Sequence, residues 1–306
     1  MKILVTGGAG FIASQIADAY IEEGHDVYIL DNLSTGFEKN INPKARFINI
    51  DITSPSIINL FEKEKFEVVN HHAAQIDVRK SVDDPLFDAN TNILGTINLL
   101  QACVKTGVRK FMFASTGGAV YGEQEYFPAD EKHPTNPVSP YGITKLAIEK
   151  YLYFYKNEYG LKYTILRYAN VYGPRQNPFG EAGVVAIFTS KLLKNENPVI
   201  NGDGRQTRDY VFVADVVKAN SLTLNDVNSE IYNVGTGVET SVNQLFDMLN
   251  KIAGGKAKEK HGPSPKGEQA RSVITSEKLF KTFNWKPSVK IEDGLQRTFE
   301  SFKKLN

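Results

Sequence analysis

Short apolar runs and amphipathic helical stretches alternate along the first half of the chain. Residues 2–6 carry Ile3-Leu4-Val5, the pattern of a strand buried on both faces. A helical period follows through Ile16, Ala17, Tyr20 and Ile21 and stops at Gly24. Residues 26–30 predict a second strand that ends at Asp31. Further strands are expected at 46–50, 67–70, 110–114 and 163–167, separated by helices at 55–65, 88–106 and 140–159. Strand and helix in strict alternation predict an α/β fold, a Rossmann-type doubly wound parallel sheet. After Tyr168 the period loosens. Helices are expected at 184–193, 213–224, 242–253, 276–283 and 291–304, with a strand at 231–234 and a polar loop at 256–267. These segments predict a smaller α/β lobe over the sheet edge. The expected division is 1–170, with returning segments near 209–235, for the main domain, and 171–208 with 236–306 for the lobe.

Ligands in such sheets bind at the carboxyl ends of strands. Gly7, Asp31, Asp51, Ala73, Ser115 and Tyr168 all fall at such ends. The first strand runs into Gly7-Gly8-Ala9-Gly10-Phe11-Ile12-Ala13, in which Gly8, Gly10 and Ala13 fit the dinucleotide fingerprint. Glycines there let a pyrophosphate approach the backbone at a helix N-terminus, where free N–H groups and the dipole favour anions. Asp31 is placed to accept from a ribose 2′-hydroxyl, so NAD is expected rather than NADP. Tyr141 and Lys145 are four residues apart, on one face of the expected helix. A nearby ammonium favours the phenolate. Bringing a phenol from near 10 to about 7 takes roughly 4 kcal/mol of differential stabilisation, so the pair can serve as a proton-transfer device.

Composition narrows the partners. The 306 residues hold 36 Lys+Arg against 35 Asp+Glu, a net charge of +1. Neither nucleic acid nor a membrane surface is expected as a partner. The one cysteine, Cys103, sits in an apolar helical pattern and reads as a core residue. With no leader-like apolar stretch and no run of 18 apolar residues, a cytoplasmic protein is expected. His71 and His72 are neighbours in an extended segment and point to opposite sides, so no metal is expected.

The motifs together resemble the extended short-chain dehydrogenase/reductase family, and within it the UDP-glucose 4-epimerases, over essentially the whole chain. The matching stretches are Thr6-Gly-Gly-Ala-Gly-Phe-Ile-Ala13, Asp31-Asn-Leu-Ser-Thr-Gly36, His72-Ala-Ala-Gln75, Asn92-Ile-Leu-Gly-Thr96, Val120-Tyr-Gly122, Tyr141-x-x-x-Lys145, Arg167-Tyr-Ala-Asn-Val-Tyr-Gly-Pro-Arg175 and Arg208-Asp-Tyr210. The resemblance implies interconversion of UDP-glucose and UDP-galactose by transient oxidation at C4 with tightly bound NAD. It makes Tyr141 the acid/base, Lys145 its electrostatic partner, and Thr116 or Ser115 a hydrogen-bonding hydroxyl. Gly7, Gly10, Phe11, Ile12, Asp31, Asn32, Ser34, Thr35, Gly36, Asp51, Ile52, Ala73, Ala74, Gln75, Asn92 and Tyr168 would join the pair in holding NAD. Asn170, Asn201, Arg208, Lys266, Arg271 and Ser272 would join Thr116 and Tyr141 around the UDP-sugar.

Three positions depart from the family pattern. Gly117 stands where a Ser or Thr is common, which leaves Ser115 and Thr116 as alternatives. Pro265 replaces an arginine, which leaves Lys266 or Arg271 as the second diphosphate cation. Ser272 stands where epimerases that exclude bulky sugars carry an aromatic, so acceptance of UDP-N-acetylglucosamine is expected. Rival readings are a UDP-uronate epimerase or decarboxylase, a 4,6-dehydratase, and a non-catalytic NAD-sensing regulator. The dehydratase would need an Asp-Glu pair where Gly117-Gly118 stand. The family pattern also implies a homodimer, with a seam on the helices at 88–106 and 140–159 that includes Ile97, Leu100, Ile148, Leu152 and Phe154.

Overall fold

The computed structural model describes residues 1–179, 183–264 and 269–304. Its centre is β1 (Lys2–Thr6), in which Ile3, Leu4 and Val5 are fully buried. The chain continues through α1 (Phe11–Glu22), β2 (Asp26–Asp31), β3 (Arg46–Asn49), α2 (Ile57–Glu64) and β4 (Val68–His71). Next come α3 (Val78–Asp83), α4 (Pro85–Ala89), a π-helical turn (Asn90–Leu94), α5 (Gly95–Thr106), β5 (Lys110–Thr116), α6 (Pro140–Tyr159) and β6 (Lys162–Tyr168). Beyond these lie β7 (Asn170–Tyr172), α7 (Val184–Leu193), β8 (Ile200–Asn201), β9 (Thr207–Phe212), α8 (Val213–Thr223) and β10 (Glu230–Val234). The chain closes with β11 (Glu239–Ser241), α9 (Val242–Ile252), β12 (His261–Gly262), β13 (Arg271–Ser272), α10 (Glu277–Phe283) and α11 (Ile291–Lys303).

Seven parallel strands form the main sheet in the order β10-β6-β5-β4-β1-β2-β3. The order reverses between β1 and β4, and loops diverging there open a crevice at the carboxyl ends. One face packs on α2, α5 and α6 through Leu4, Phe61, Leu99, Phe111 and Leu152. The other packs on α1 through Ile3, Val5, Ile16 and Ile29, and on α8 through Val216 and Ala219 beside Leu166, Val234 and Trp285. A smaller sheet has the order β11-β9-β13, with β7 also pairing β9, and packs against α7, α9 and α11.

Two expectations need correcting. The stretch 88–106 is not one regular helix. It starts at Pro85, capped by Asp84, and passes through a π turn that carries the buried side chain of Asn92. Strand β9 has no apolar alternation to announce it, because Asp209 is buried within it. That carboxylate accepts from Thr236 N, Thr236 Oγ1 and Gly237 N.

Helix α6 carries the 141–145 pair and is fixed at both ends. Ser139 Oγ caps its start by accepting from Gly142 N at 3.2 Å, Pro140 opens its first turn, and Gly160 ends it at φ +70°. Glu149, two turns beyond Tyr141, is clamped by Arg167 of β6 at 2.5 and 2.9 Å, with both residues buried. Ser115 Oγ donates to the same carboxylate at 2.6 Å, and Arg167 also donates to Tyr121 Oη. Removing one partner of such a pair strands the other charge in a low-dielectric interior. Glu149→Ala should therefore cost about 3–5 kcal/mol in urea unfolding. A loss under about 1 kcal/mol, typical of a surface pair, would show that Arg167 is not dependent on it.

Candidate active site

A groove with a cavity volume of about 200 Å³ lies over the switch point. Gly7, Gly10, Phe11, Ile12, Asp31, Asn32, Ser34, Thr35, Gly36, Asp51, Ile52, Ala73 and Ala74 line it, together with His72, Ala13 and Thr91. Gly7 adopts φ +69°, and a Cβ there would stand 2.7 Å from Ala73 N, so the β1–α1 turn abuts the end of β4. Helix α1 begins at this turn with no side-chain cap and no acid in its first turn. Its first N–H groups therefore remain available to an anion. Asp31 is buried, its Oδ2 accepting from Ala9 N and its Oδ1 from Leu33 N. Each oxygen keeps a further lone pair. Partial burial acts to raise Asp51, but hydrogen bonds from Thr53 and Asn32 outweigh it and hold the carboxyl below the usual range.

His72 adds a polar ring to this wall. Asn220 Nδ2 donates to the Val216 carbonyl, which can only accept, so the orientation of the amide is fixed. Its other hydrogen goes to Tyr168 Oη at 2.9 Å. The Tyr168 hydroxyl also shares a hydrogen bond with His72 Nε2 at 3.1 Å. Burial and the charge of Lys145 lower His72 to about 3, so the ring is neutral. Its Nδ1 is buried with no hydrogen-bond partner among the described residues. The unpartnered ring nitrogen, the glycine cradle and the uncapped helix end all suit a dinucleotide, which supplies polar groups and an anionic pyrophosphate.

Lys145 stands behind this groove, in a small cavity that shares Ala73 and Ala74 with it and is also lined by Asn92. Its ammonium is buried, donates to the Ala114 carbonyl at 2.9 Å, and lies 4.8 Å from the Phe113 ring centre and 5.8 Å from that of Tyr141. Burial lowers Lys145 to about 8, and the carboxylates of Asp88 and Glu149 limit that fall. Thr116, the last residue of β5, pairs in register with Tyr168 of β6. A Cβ built on Gly118 would stand 3.8 Å from Thr116 Oγ1 and 3.9 Å from Asn170 Oδ1, so both side chains border one open corner. Of the two candidate hydroxyls, Ser115 is buried and committed to Glu149, whereas Thr116 is partly exposed and accepts from Ala119 N.

The geometry matches that of known proteins. A model of the NAD dependent epimerase/dehydratase family matches residues 3–235. The chain belongs to that family. It is 50% identical over 304 residues to a putative UDP-glucose 4-epimerase of Methanocaldococcus jannaschii, covering 99% of both chains. The structure of a Thermotoga maritima UDP-glucose 4-epimerase with UDP-glucose is similar at TM-score 0.98 and 48% identity, with 100% of this chain and 99% of that one covered. A UDP-N-acetylglucosamine 4-epimerase of Methanobrevibacter ruminantium, in complex with UDP-N-acetylmuramic acid, gives TM-score 0.95 at 34% identity, over 100% and 99% of the two chains.

The remaining residues expected from the family pattern are more scattered. Gln75 and Asn92 do not line the groove. The Asn92 amide bonds the backbone N–H and carbonyl of Gln75, and both side-chain amides donate to the buried carboxylate of Asp88. Arg208 Nη1 donates to the carbonyls of Thr207 and Gln269, at the edge where Ser272 pairs beside it. Arg271 is paired with Glu239 at 2.5 and 3.0 Å and lies over the Phe127 ring, so its charge is already matched. Asn201 is exposed on β8, and its carbonyl accepts from Gln206. Lys266 lies outside the described residues, as do Pro265 and Gly267. His71 bonds Thr6 Oγ1 and Thr96 Oγ1 on the side opposite His72. No cluster of three His, Cys, Asp or Glu side chains suited to a metal stands among the described residues. Sequence reasoning weighed His72 only as a metal ligand and passed over Asp88, which carried no signal beyond an acid in a helical stretch.

Proposed function

We propose that the protein is an NAD-dependent UDP-sugar 4-epimerase that interconverts UDP-glucose and UDP-galactose and also accepts their 2-acetamido counterparts. The observation that carries this reading is the Tyr141–Lys145 pair on successive turns of α6. Its lysine is buried behind a groove whose glycine turn, free helix end and ribose-facing carboxylate suit NAD. The family and the named activities of the similar epimerases support it.

NAD, when bound, supplies a reversible hydride acceptor for sugar C4. Tyr141 takes the proton of the 4-hydroxyl at its Oη and returns it after the sugar has turned over. The Lys145 ammonium favours the phenolate form of Tyr141. Thr116 Oγ1 orients the same sugar oxygen. Arg208 and Asn170 hold the diphosphate, which keeps the sugar tethered while it turns and supplies binding energy remote from the reacting carbon. A 4,6-dehydratase needs further proton-transfer groups, and glycines 117 and 118 can supply none. A cytoplasmic setting is part of this reading, supported by a single, unpaired cysteine.

The seam proposed for a homodimer needs redrawing. Leu100, Ile148 and Leu152 face the sheet and are buried in the chain's own core, and Ile97 is half-buried. Exposed apolar residues on α4, the π turn and α6 include Leu86, Leu94, Ile143, Tyr153 and Phe154. Such a patch supports a self-complementary interface, and light scattering at micromolar concentration should give twice the chain mass. A monomeric mass would remove the dimer from this reading.

Purified wild type should turn over UDP-galactose with no added NAD, and Tyr141→Phe should lower kcat about 10²–10⁴-fold. An active phenylalanine variant would exclude Tyr141 as the acid/base. Ser272 is buried on β13 beside Arg208. Filling its place with Ser272→Tyr should shift the preference toward UDP-galactose over UDP-N-acetylgalactosamine by about tenfold or more. An unchanged ratio would show that this side chain does not border the sugar.

A further inference from the structure

Asp88 is fully buried, yet no role at the site has been given to it. It belongs to α4, outside the family motifs. Its Oδ1 accepts from Gln75 Nε2 at 2.9 Å and Asn92 Nδ2 at 3.0 Å, and its Oδ2 from Thr144 Oγ1 at 3.0 Å. All three donors are neutral. No cation forms an ion pair with Asp88 among the described residues. Thr144 lies on α6 between Tyr141 and Lys145, and its hydroxyl also reaches the Tyr141 carbonyl at 2.9 Å. Gln75 belongs to the loop that follows Ala73-Ala74, and Asn92 to the π turn. One carboxylate therefore gathers the three segments that surround the Lys145 ammonium.

The charges facing Lys145 can be counted. From α6 come Tyr141 and Glu149, and from β4 and its extension come His71 and His72. Both histidines are neutral, because burial first and Lys145 second lower them. Glu149 is matched by its bidentate bond to Arg167. Asp88, on α4, is left as the one negative charge near Lys145 with no cation of its own among the described residues.

We propose that Asp88 is a positioning residue for the Tyr141–Lys145 pair: it anchors α6 through Thr144 and provides the counter-charge that keeps the buried ammonium protonated. This rests on the epimerase reading of the site. A buried carboxylate with only neutral donors is costly to keep ionised, and a cation in the next layer offsets that cost. The Asp88 carboxylate acts to raise Lys145 against the effect of burial, and the phenol at 141 works inside that field.

The test is Asp88→Asn. The asparagine Oδ1 can still accept from Gln75 and Asn92. Its Nδ2 can donate to Thr144 Oγ1, whose proton then goes to the Tyr141 carbonyl. The network survives and the charge is lost. Removing a negative charge makes every proton in the site easier to lose, so both limbs of the pH–kcat profile should move to lower pH, by about 1 unit. Thr144→Val breaks the anchor but keeps the charge, and should lower kcat with the limbs in place. A second readout needs no turnover. The tyrosinate absorbance titration, wild type minus Tyr141→Phe, should move to lower pH in the Asp88→Asn background. If Asp88→Asn unfolds, Asp88→Ser, which also lacks the charge and leaves room for a water, should show the same displacement. Limbs and titration that stay in place in a folded charge-free variant would overturn the proposal. A wild type without turnover on any UDP-sugar would instead sink the epimerase reading, and the tyrosinate titration would still decide the role of Asp88.

Discussion

An ammonium ion kept charged between a sheet and a helix is the constraint on which the rest of this site depends. Burial alone drives a lysine toward neutrality, and a neutral Lys145 would have no hold on the proton of Tyr141. Three features work against that loss. The Ala114 carbonyl, near the end of β5, aims its dipole at the ammonium, the face of Phe113 lies 4.8 Å away, and the carboxylates of Asp88 and Glu149 stand in the layers behind. The position of α6 against β5 and β6 is therefore part of the chemistry. A helix shifted by one residue would replace the ammonium with the Thr144 hydroxyl or the Leu146 side chain.

The two halves of the groove solve different problems with different materials. At the β1–α1 turn the groove uses backbone: a glycine at φ +69°, uncapped N–H groups and a carboxylate fixed by two backbone donors. These suit a permanently charged pyrophosphate and a ribose, neither of which has to move. At the α6 end it uses buried side-chain charges whose protonation states depend on one another. A cofactor that undergoes no net oxidation can stay clamped by the first half while the second passes a proton back and forth.

The sequence read well wherever local pattern and site coincided. The alternation of strands and helices, the glycine turn and the 141–145 spacing each depend on residues close together in the chain, and each was legible. Contacts made across the sheet were not. Asp88 meets Gln75 at a separation of 13 residues and Thr144 at 56, and no local period marks such a meeting. His72 was weighed only as a metal ligand, and its partners, Tyr168 and Asn220, lie far along the chain. Strand β9 was hidden because Asp209, buried in its middle, reads as a surface residue until the turn at 236–237 is seen to satisfy it. The proposed dimer seam erred for a related reason. Leu100, Ile148 and Leu152 are apolar on helices with more than one apolar face, and only packing tells which face the sheet takes.

Buried carboxylates recur as fasteners, and this bears on how the smaller lobe meets the main sheet. Asp215, at the start of α8, accepts from Ser288 N, Ser288 Oγ and Val289 N, while its carbonyl receives the indole N–H of Trp285. Asp209 ties β9 to the turn that follows β10. Each fastens a lobe segment to an element of the main body with hydrogen bonds whose loss would leave a charge unsatisfied in the interior. Arg208 lies on β9, so fixed, and Ser272 on β13, which pairs with it, while Tyr141 and Lys145 lie on α6, held by Glu149 and Asp88. The distance from the Arg208 edge to the Tyr141–Lys145 pair is thus set by buried acids on both sides. Under the proposed function, the sugar would turn between two walls that are themselves held fixed.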